Sequence, residues 1–213
     1  MQTEPIQIPI NGASLEGELE GPETPAGLVV FAHGSGSSRF SPRNNYVAGV
    51  LREAGFATFL FDLLTESEDR VYANRFDIDL LTERLVVAVR WVSARKDVGR
   101  LPMGLFGAST GAAAALGAAE ALGDAVQAVV SRGGRPDLAS TDPAAVTVPT
   151  LLIVGGLDTQ VIELNRRVQK QLGGPARLEI VDGATHLFEE EGKLEEVAAL
   201  AAEWFRAHLQ RPA

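Results

Sequence analysis

Cysteine is absent from this chain of 213 residues, and histidine occurs only three times. Without cysteine there is no thiol nucleophile, no disulfide and no thiolate metal site. His33, His186 and His208 form neither an HExxH motif nor a ligand pair at metal-binding spacing. The sequence therefore predicts no metal site.

Positive charge is also scarce, with 19 Lys and Arg residues against 28 Asp and Glu and a net charge of −9. An acidic surface repels phosphates, so we expect no nucleic-acid partner. No apolar run approaches the roughly 18 residues that a membrane span needs. The N-terminal segment MQTEPIQIPI lacks the basic-then-apolar pattern of a signal peptide. We expect no membrane partner and a cytoplasmic location.

The rest of the composition is that of an ordinary globular protein, with 46% hydrophobic and 22% charged residues. The length predicts a single domain over residues 1–213, large enough to bury a full core. We find no internal repeat, and no insertion long enough to form a separate cap domain.

Short apolar runs alternate with amphipathic segments along the chain. The pattern begins with a hairpin over Gln2–Glu20 that turns at Asn11-Gly12. Buried strands are then predicted at Leu28–Ala32, Phe56–Phe61, Met103–Phe106, Val126–Val130, Thr150–Val154 and Arg177–Val181. Helices are predicted between them, among them one from Pro42 to about Ala54, one over Phe76–Arg95 after a polar loop at Leu63–Arg75, and a final amphipathic helix. This alternation predicts an α/β fold with a mostly parallel, doubly wound sheet of about eight strands and an antiparallel N-terminal hairpin.

The segment Leu101–Ala115, LPMGLFGASTGAAAA, runs from a predicted strand into an alanine-rich helix. Its Gly-x-Ser-x-Gly pentapeptide is the pattern of a nucleophile elbow, a sharp turn that exposes the serine hydroxyl at the top of a sheet. Gly107 and Gly111 are required there because side chains would clash with the neighbouring backbone. The helix start brings the Thr110 N–H and a positive dipole end beside the Ser109 oxygen.

Other polar groups also follow predicted strands, where ligand chemistry gathers in open α/β sheets. They are the loop His33–Arg39, Asp158 and His186. Ser109, Asp158 and His186 follow one another along the chain in the order of the α/β-hydrolase triad. Each has a simpler interpretation. Asp158 could only cap the helix that follows it, His186 could be a solvated turn residue, and His33 is expected to brace its loop by hydrogen bonds.

The segments HGSGSSR, GASTG, GGLD and GATHLF together resemble the α/β-hydrolase superfamily, and within it the dienelactone-hydrolase-like branch, over nearly the whole chain. The resemblance implies an α/β-hydrolase fold without a cap domain. Dienelactone hydrolases proper use a cysteine nucleophile, whereas the elbow here carries Ser109. The resemblance therefore implies a small serine esterase of general specificity rather than one specific for dienelactones.

Such an esterase would cleave small carboxylic esters through an acyl-enzyme, without a cofactor. Ser109 would be the nucleophile, His186 the general base and Asp158 the residue that orients the histidine. The backbone N–H groups of Ser35 and Thr110 would form the oxyanion hole.

Several alternatives stay open from the sequence alone. A thioesterase, an acyltransferase or a peptidase would use the same three residues, and a non-catalytic member of the fold would bind a ligand without cleaving it. The partners expected are a small-molecule ester and, as one option, a second copy of the chain in a homodimer.

Three arginines are concentrated near the predicted site of this acidic chain, namely Arg39, Arg132 and Arg135. A guanidinium group suits a carboxylate, so Arg132 first, and Arg39 with it, could bind an anionic group of the substrate. The alternative is that these arginines fix loops through ion pairs with nearby acids, namely Asp62, Glu66 or Asp137.

Overall fold

The computed structural model describes residues 2–210, and its centre is an eight-stranded sheet. The strands are β1 (Gln2–Ile10), β2 (Ala13–Gly21), β3 (Leu28–Ala32), β4 (Ala57–Phe61), β5 (Met103–Ala108), β6 (Ala128–Arg132), β7 (Thr150–Gly155) and β8 (Ala176–Val181). Their order across the sheet is β1-β2-β4-β3-β5-β6-β7-β8. The pairs β1–β2 and β2–β4 are antiparallel and the others are parallel. The predicted fold class is confirmed.

The N-terminal hairpin turns where the sequence predicted. Asn11 and Gly12 both have positive φ, +45° and +80°. Two such residues form the tight turn whose twist matches that of paired strands. The hairpin buries Ile6, Ile8 and Leu15 against the core.

Six α-helices connect or flank the strands in residues 2–210. They are α1 (Pro42–Glu53), α2 (Glu66–Asp69), α3 (Ile78–Ser93), α4 (Thr110–Leu122), α5 (Thr159–Gln169) and α6 (Lys193–His208). Helix α1 begins as predicted, with Pro42 in the first position and the Ser41 hydroxyl accepting the Asn44 N–H at 3.3 Å.

Some boundaries differ from the sequence prediction for local reasons. Helix α3 begins at Ile78 rather than Phe76, because the Asp77 side chain accepts the Leu80 N–H and ends the preceding 3₁₀ turn. The predicted polar loop contains the short helix α2, which has a capping box between Thr65 and Glu68. Strand β6 lies two residues later than predicted, since a 3₁₀ turn precedes it and its pairing with β5 begins at Ala128.

Two hydrophobic layers cover the faces of the sheet. Helices α3 and α4 pack on one face, and α1 and α6 pack on the other. Strands β3 to β7 are buried along their whole length, which is why their sequences are continuous apolar runs. The carboxyl ends of the parallel strands therefore meet at one edge, where loops are free to form a site.

No helix within residues 2–210 has both the length and the apolar character needed to cross a membrane.

Candidate active site

Ser109 occupies a strained turn between β5 and α4. Its φ is +52° and its ψ is −120°, a conformation that costs about 1–3 kcal/mol for a residue with a side chain. Neighbouring backbone holds it there. The Ser109 N–H donates to the Arg132 carbonyl at 3.2 Å, and the Ser109 carbonyl accepts the Arg135 N–H at 3.1 Å. The side chain stays half-buried at the carboxyl edge of the sheet.

The two glycines of the elbow are required by close packing. A Cβ on Gly107 would lie 2.5 Å from the Cα of Ala112, and one on Gly111 would lie 2.2 Å from the Ala32 carbonyl oxygen. Both distances are far below a normal contact. The geometry explains why Gly-x-Ser-x-Gly occurs at this turn.

Asp158 and His186 form a direct pair, with 2.6 Å between the Asp158 Oδ2 and the His186 Nδ1. Asp158 stands at the N-cap position of α5, but its side chain makes no capping hydrogen bond there. The simpler interpretation of Asp158 as only a helix cap is therefore not supported. An ionised carboxylate only accepts hydrogen bonds, so Nδ1 carries the proton and Nε2 is left to accept one.

Two further aspartates, Asp137 after β6 and Asp182 after β8, also follow strands of the sheet. Asp182 is exposed, and Asp137 accepts two hydrogen bonds from Arg135, both at 2.9 Å. Of these three aspartates, Asp158 is the one in contact with His186.

The turn that carries His186 is held rigidly. Phe188 has a φ of +57°, which is rare for a bulky residue, and its ring is fully buried. The Glu190 carboxylate accepts the Thr185 N–H at 3.1 Å. The Leu157 N–H donates to the Ala184 carbonyl at 2.9 Å, which ties the aspartate turn to the histidine turn.

Ser109 and His186 both pack against the end of β6. The Arg132 carbonyl accepts the Ser109 N–H, and a Cβ on the next residue, Gly133, would lie 2.9 Å from the His186 carbonyl oxygen. The structure thus brings the serine, the aspartate and the histidine to one edge of the sheet, although they are far apart in sequence.

Ser35 and Thr110 lie side by side, but not as two free amides. The Ser35 N–H donates to the Thr110 hydroxyl at 2.8 Å. The Thr110 amide is at the first position of α4 and has no partner within the helix. Gly34 approaches Ser109 closely, since a Cβ on Gly34 would lie 3.1 Å from the Ser109 Cβ. The loop after β3 therefore lies against Ser109, and its Ser35 amide is bound by the Thr110 side chain. The oxyanion hole predicted at Ser35 and Thr110 remains a prediction.

His33 has the bracing contacts expected of it. It is 8% exposed; its Nδ1–H donates to the Gly34 carbonyl at 2.9 Å, and its Nε2 accepts the Leu63 N–H at 3.0 Å. Burial lowers the pKa of this imidazole, so it stays neutral and keeps both bonds. His33 thereby fixes the loop after β3 against the loop after β4.

Two of the three arginines make the loop-fixing ion pairs considered from the sequence. The Arg39 guanidinium pairs with Asp62, whose carboxylate also accepts the Arg39 backbone N–H at 2.7 Å. Arg135 pairs with Asp137. The observed pairing favours a structural role for both.

Arg132 is different, because it is buried without a carboxylate partner. The residue is 5% exposed, its Nη2 donates to the Asn44 Oδ1 at 3.1 Å, and its Nε is buried with no hydrogen-bond partner. Burial, together with the nearby positive charge of Arg43, lowers the pKa of Arg132 to about 10. It remains charged at neutral pH.

Asn44 was not identified from the sequence. It is buried on the inner face of α1, three residues before Val47 and seven before Leu51, which are both buried. A polar residue at the spacing of an apolar face was the signal that could have found it.

Among residues 2–210, no group of three or more His, Cys, Asp or Glu side chains could hold a metal ion.

An elbow serine after β5, with an Asp–His pair from the loops after β7 and β8 of this sheet, defines the α/β-hydrolase class of enzymes. The chain belongs to the dienelactone hydrolase family, whose model matches residues 15–210.

Comparison with solved structures agrees with this assignment. The crystal structure of a dienelactone hydrolase from Anabaena variabilis has 51% sequence identity and a TM-score of 0.93, and the match covers 98% of this chain and 99% of that one. Est1E from Butyrivibrio proteoclasticus shares the fold at 17% identity, with a TM-score of 0.80 and coverage of 95% and 98%.

The curated relatives carry a different name. Sequences from two strains of Mycobacterium tuberculosis, both named "Putative phosphoribosyl transferase", are 56% identical to this chain over 212 residues. The match covers 100% of this chain but 48% of each relative. The chain thus spans about half the length of the curated relatives it matches.

Proposed function

We propose that this hydrolase is a serine esterase that cleaves small carboxylic esters through Ser109, His186 and Asp158. The observation that carries the proposal is the 2.6 Å contact between Asp158 and His186, at the same sheet edge as the strained Ser109. A nucleophile, a base and a residue that orients the base are the three parts that acyl transfer needs.

The reaction follows from the chemistry of these groups. A serine hydroxyl is too weak an acid to attack an ester unaided, so His186 Nε2 takes its proton as the Ser109 oxygen bonds to the carbonyl carbon. Asp158 keeps the proton on Nδ1 and stabilises the imidazolium. The imidazolium then protonates the departing alcohol, and water repeats the attack on the acyl-enzyme.

The oxyanion would be stabilised at the start of α4. The Thr110 amide and the positive end of the helix dipole are at this position. The Ser35 amide would be the second donor, and for that role it would have to leave the Thr110 hydroxyl, to which it donates at 2.8 Å. A donor of this kind contributes about 10²–10³ in rate.

The same three residues would serve a thioesterase, an acyltransferase or a peptidase, and a substrate panel separates these from an esterase. The phosphoribosyl transferase name is not carried over, because it describes proteins of which this chain matches about half. An Asp–His pair beside an elbow serine supports acyl chemistry over a binding protein that does not catalyse.

The direct test is labelling with a fluorophosphonate probe, which reacts only with an activated serine. We expect the wild type to be labelled at Ser109 and to turn over 4-nitrophenyl acetate. The matched control is Ser37→Ala, a nearby exposed serine whose loss should leave labelling intact. Absence of labelling in a folded wild-type protein would reject the catalytic proposal.

The acyl part of the ester is expected to be small. Long acyl chains bind well only in an apolar tunnel, where the burial of each methylene contributes about 0.8 kcal/mol of binding free energy. The sequence predicted no cap domain that could form such a tunnel. Turnover of 4-nitrophenyl esters should therefore be highest for acetate or butyrate and fall towards palmitate. A steady rise in kcat/KM with chain length would contradict this expectation.

Arg132 is proposed to bind an anionic group of the substrate, and its buried Nε without a partner supports this role. We expect a higher kcat/KM for a monoester of a dicarboxylic acid than for its neutral isostere. That preference should collapse in Arg132→Gln and weaken in high salt. If both esters are cleaved equally by the wild type, or if the variant unfolds, Arg132 instead secures α1 through Asn44.

A further inference from the structure

Exposed large apolar side chains are unevenly distributed over the surface. Within residues 2–210, all of them except Tyr46 on α1 lie in loops that follow the carboxyl ends of the parallel strands. Single exposed apolar residues are normal on a protein surface, and two of those at this edge adjoin the Asp–His pair in sequence. This edge is the one that carries Ser109 and His186.

Two of these side chains are adjacent in sequence to the Asp–His pair. Leu157 precedes Asp158 and is 63% exposed, and Leu187 follows His186 and is 37% exposed. Their backbones are fixed. The Leu157 N–H donates to the Ala184 carbonyl, and Leu187 lies between the paired His186 and the buried Phe188. Both leucines are thus held out to solvent beside the pair.

The chemistry of the proposed reaction determines which part of the substrate lies next to His186. When the tetrahedral intermediate collapses, the bond from the carbonyl carbon to the alcohol oxygen breaks. The proton on His186 Nε2 moves to that oxygen, and the acyl group stays on Ser109. The departing alcohol must therefore lie beside His186, whereas the acyl group does not have to.

We infer that Leu157 and Leu187 form an apolar surface that binds the alcohol part of the ester. The substrates are then esters of an aryl-bearing or other bulky apolar alcohol. This inference rests on the proposed esterase function. It concerns the alcohol side only, so it is compatible with a small acyl group. Neither leucine touches the reacting atoms in this scheme, and both determine specificity.

The test uses three esters with the same reactive centre. Benzyl acetate carries a ring on the alcohol side, its isomer methyl phenylacetate carries the same ring on the acyl side, and methyl acetate carries none. Leu157→Gln and Leu187→Gln should each lower kcat/KM for benzyl acetate by roughly tenfold, the scale of a small change in apolar contact. Values for the other two esters should stay within about twofold on the same argument.

Two further variants control for other effects. Leu157→Met keeps the apolar surface and should retain the activity on benzyl acetate. Tyr72→Gln removes another exposed apolar side chain, 71% exposed, from the loop after β4, and should leave all three values unchanged. Thermal melting of each variant checks that the fold is intact.

Equal losses on all three esters, a loss confined to methyl phenylacetate, or an equal loss in Tyr72→Gln would each overturn the inference. If the folded wild type cleaves none of the three esters, the proposed esterase function fails, and the inference fails with it. Turnover of all three with an unchanged ratio in the leucine variants rejects the inference alone.

Discussion

Ser109→Ala is expected to lose hydrolysis of 4-nitrophenyl acetate almost completely, by about 10⁶ in kcat if the three residues act as a unit. The reason is that no acyl-enzyme can form without the hydroxyl oxygen. Alanine keeps the same Cβ in the half-buried turn at φ +52°, so the backbone strain and the packing hardly change. The measurement is kcat with the wild type and the variant at equal concentration.

The fold of the Ser109→Ala variant is checked by circular dichroism and thermal melting. We expect both to match those of the wild type. Comparable turnover by a folded variant would show that Ser109 is not the nucleophile.

Asp158→Asn should lower kcat by about 10⁴, the loss measured for the aspartate of the reference serine-protease triad. An amide at this position can donate to Nδ1, which favours the wrong tautomer of His186 and leaves the imidazolium without its counter-charge. The 2.6 Å contact is the structural basis of this expectation.

The matched control for that prediction is Asp182→Asn. Asp182 lies on the turn that leads to His186, but it is exposed. Substitutions of exposed residues usually have small effects, so we expect kcat of this variant to change by less than about tenfold. A loss below tenfold in Asp158→Asn, together with a much larger one in Asp182→Asn, would show that the carboxylate was wrongly assigned.

Much of the fold could be predicted because its signals are local. Buried parallel strands appear as short apolar runs, and the hairpin turn appears as Asn11-Gly12. The predicted ends of helices and strands were less accurate. The start of α3 is set by the Asp77 side chain, and the start of β6 is set by pairing with β5 at Ala128.

The candidate site was only partly visible in this way. The sequence could suggest Asp158 and His186, but it could not show that their side chains meet, because the directions of these side chains depend on the packing of separate loops. Similarly, the sequence could not show which of Arg39 and Arg132 has an acidic partner. In the structure the first has a carboxylate partner, and the second is buried against Asn44 without one.

The sequence by itself determined the class of fold and the elbow, because Gly107, Ser109 and Gly111 act over five consecutive residues whose sterics allow one sharp turn. Only the tertiary structure decided which groups meet across the chain. The Ser35 amide donates to the Thr110 hydroxyl 75 residues away, and the Asp158 carboxylate accepts from His186 28 residues away. Such contacts depend on which strands become neighbours in the sheet, and that order is set by the packing of the whole core rather than by any one segment.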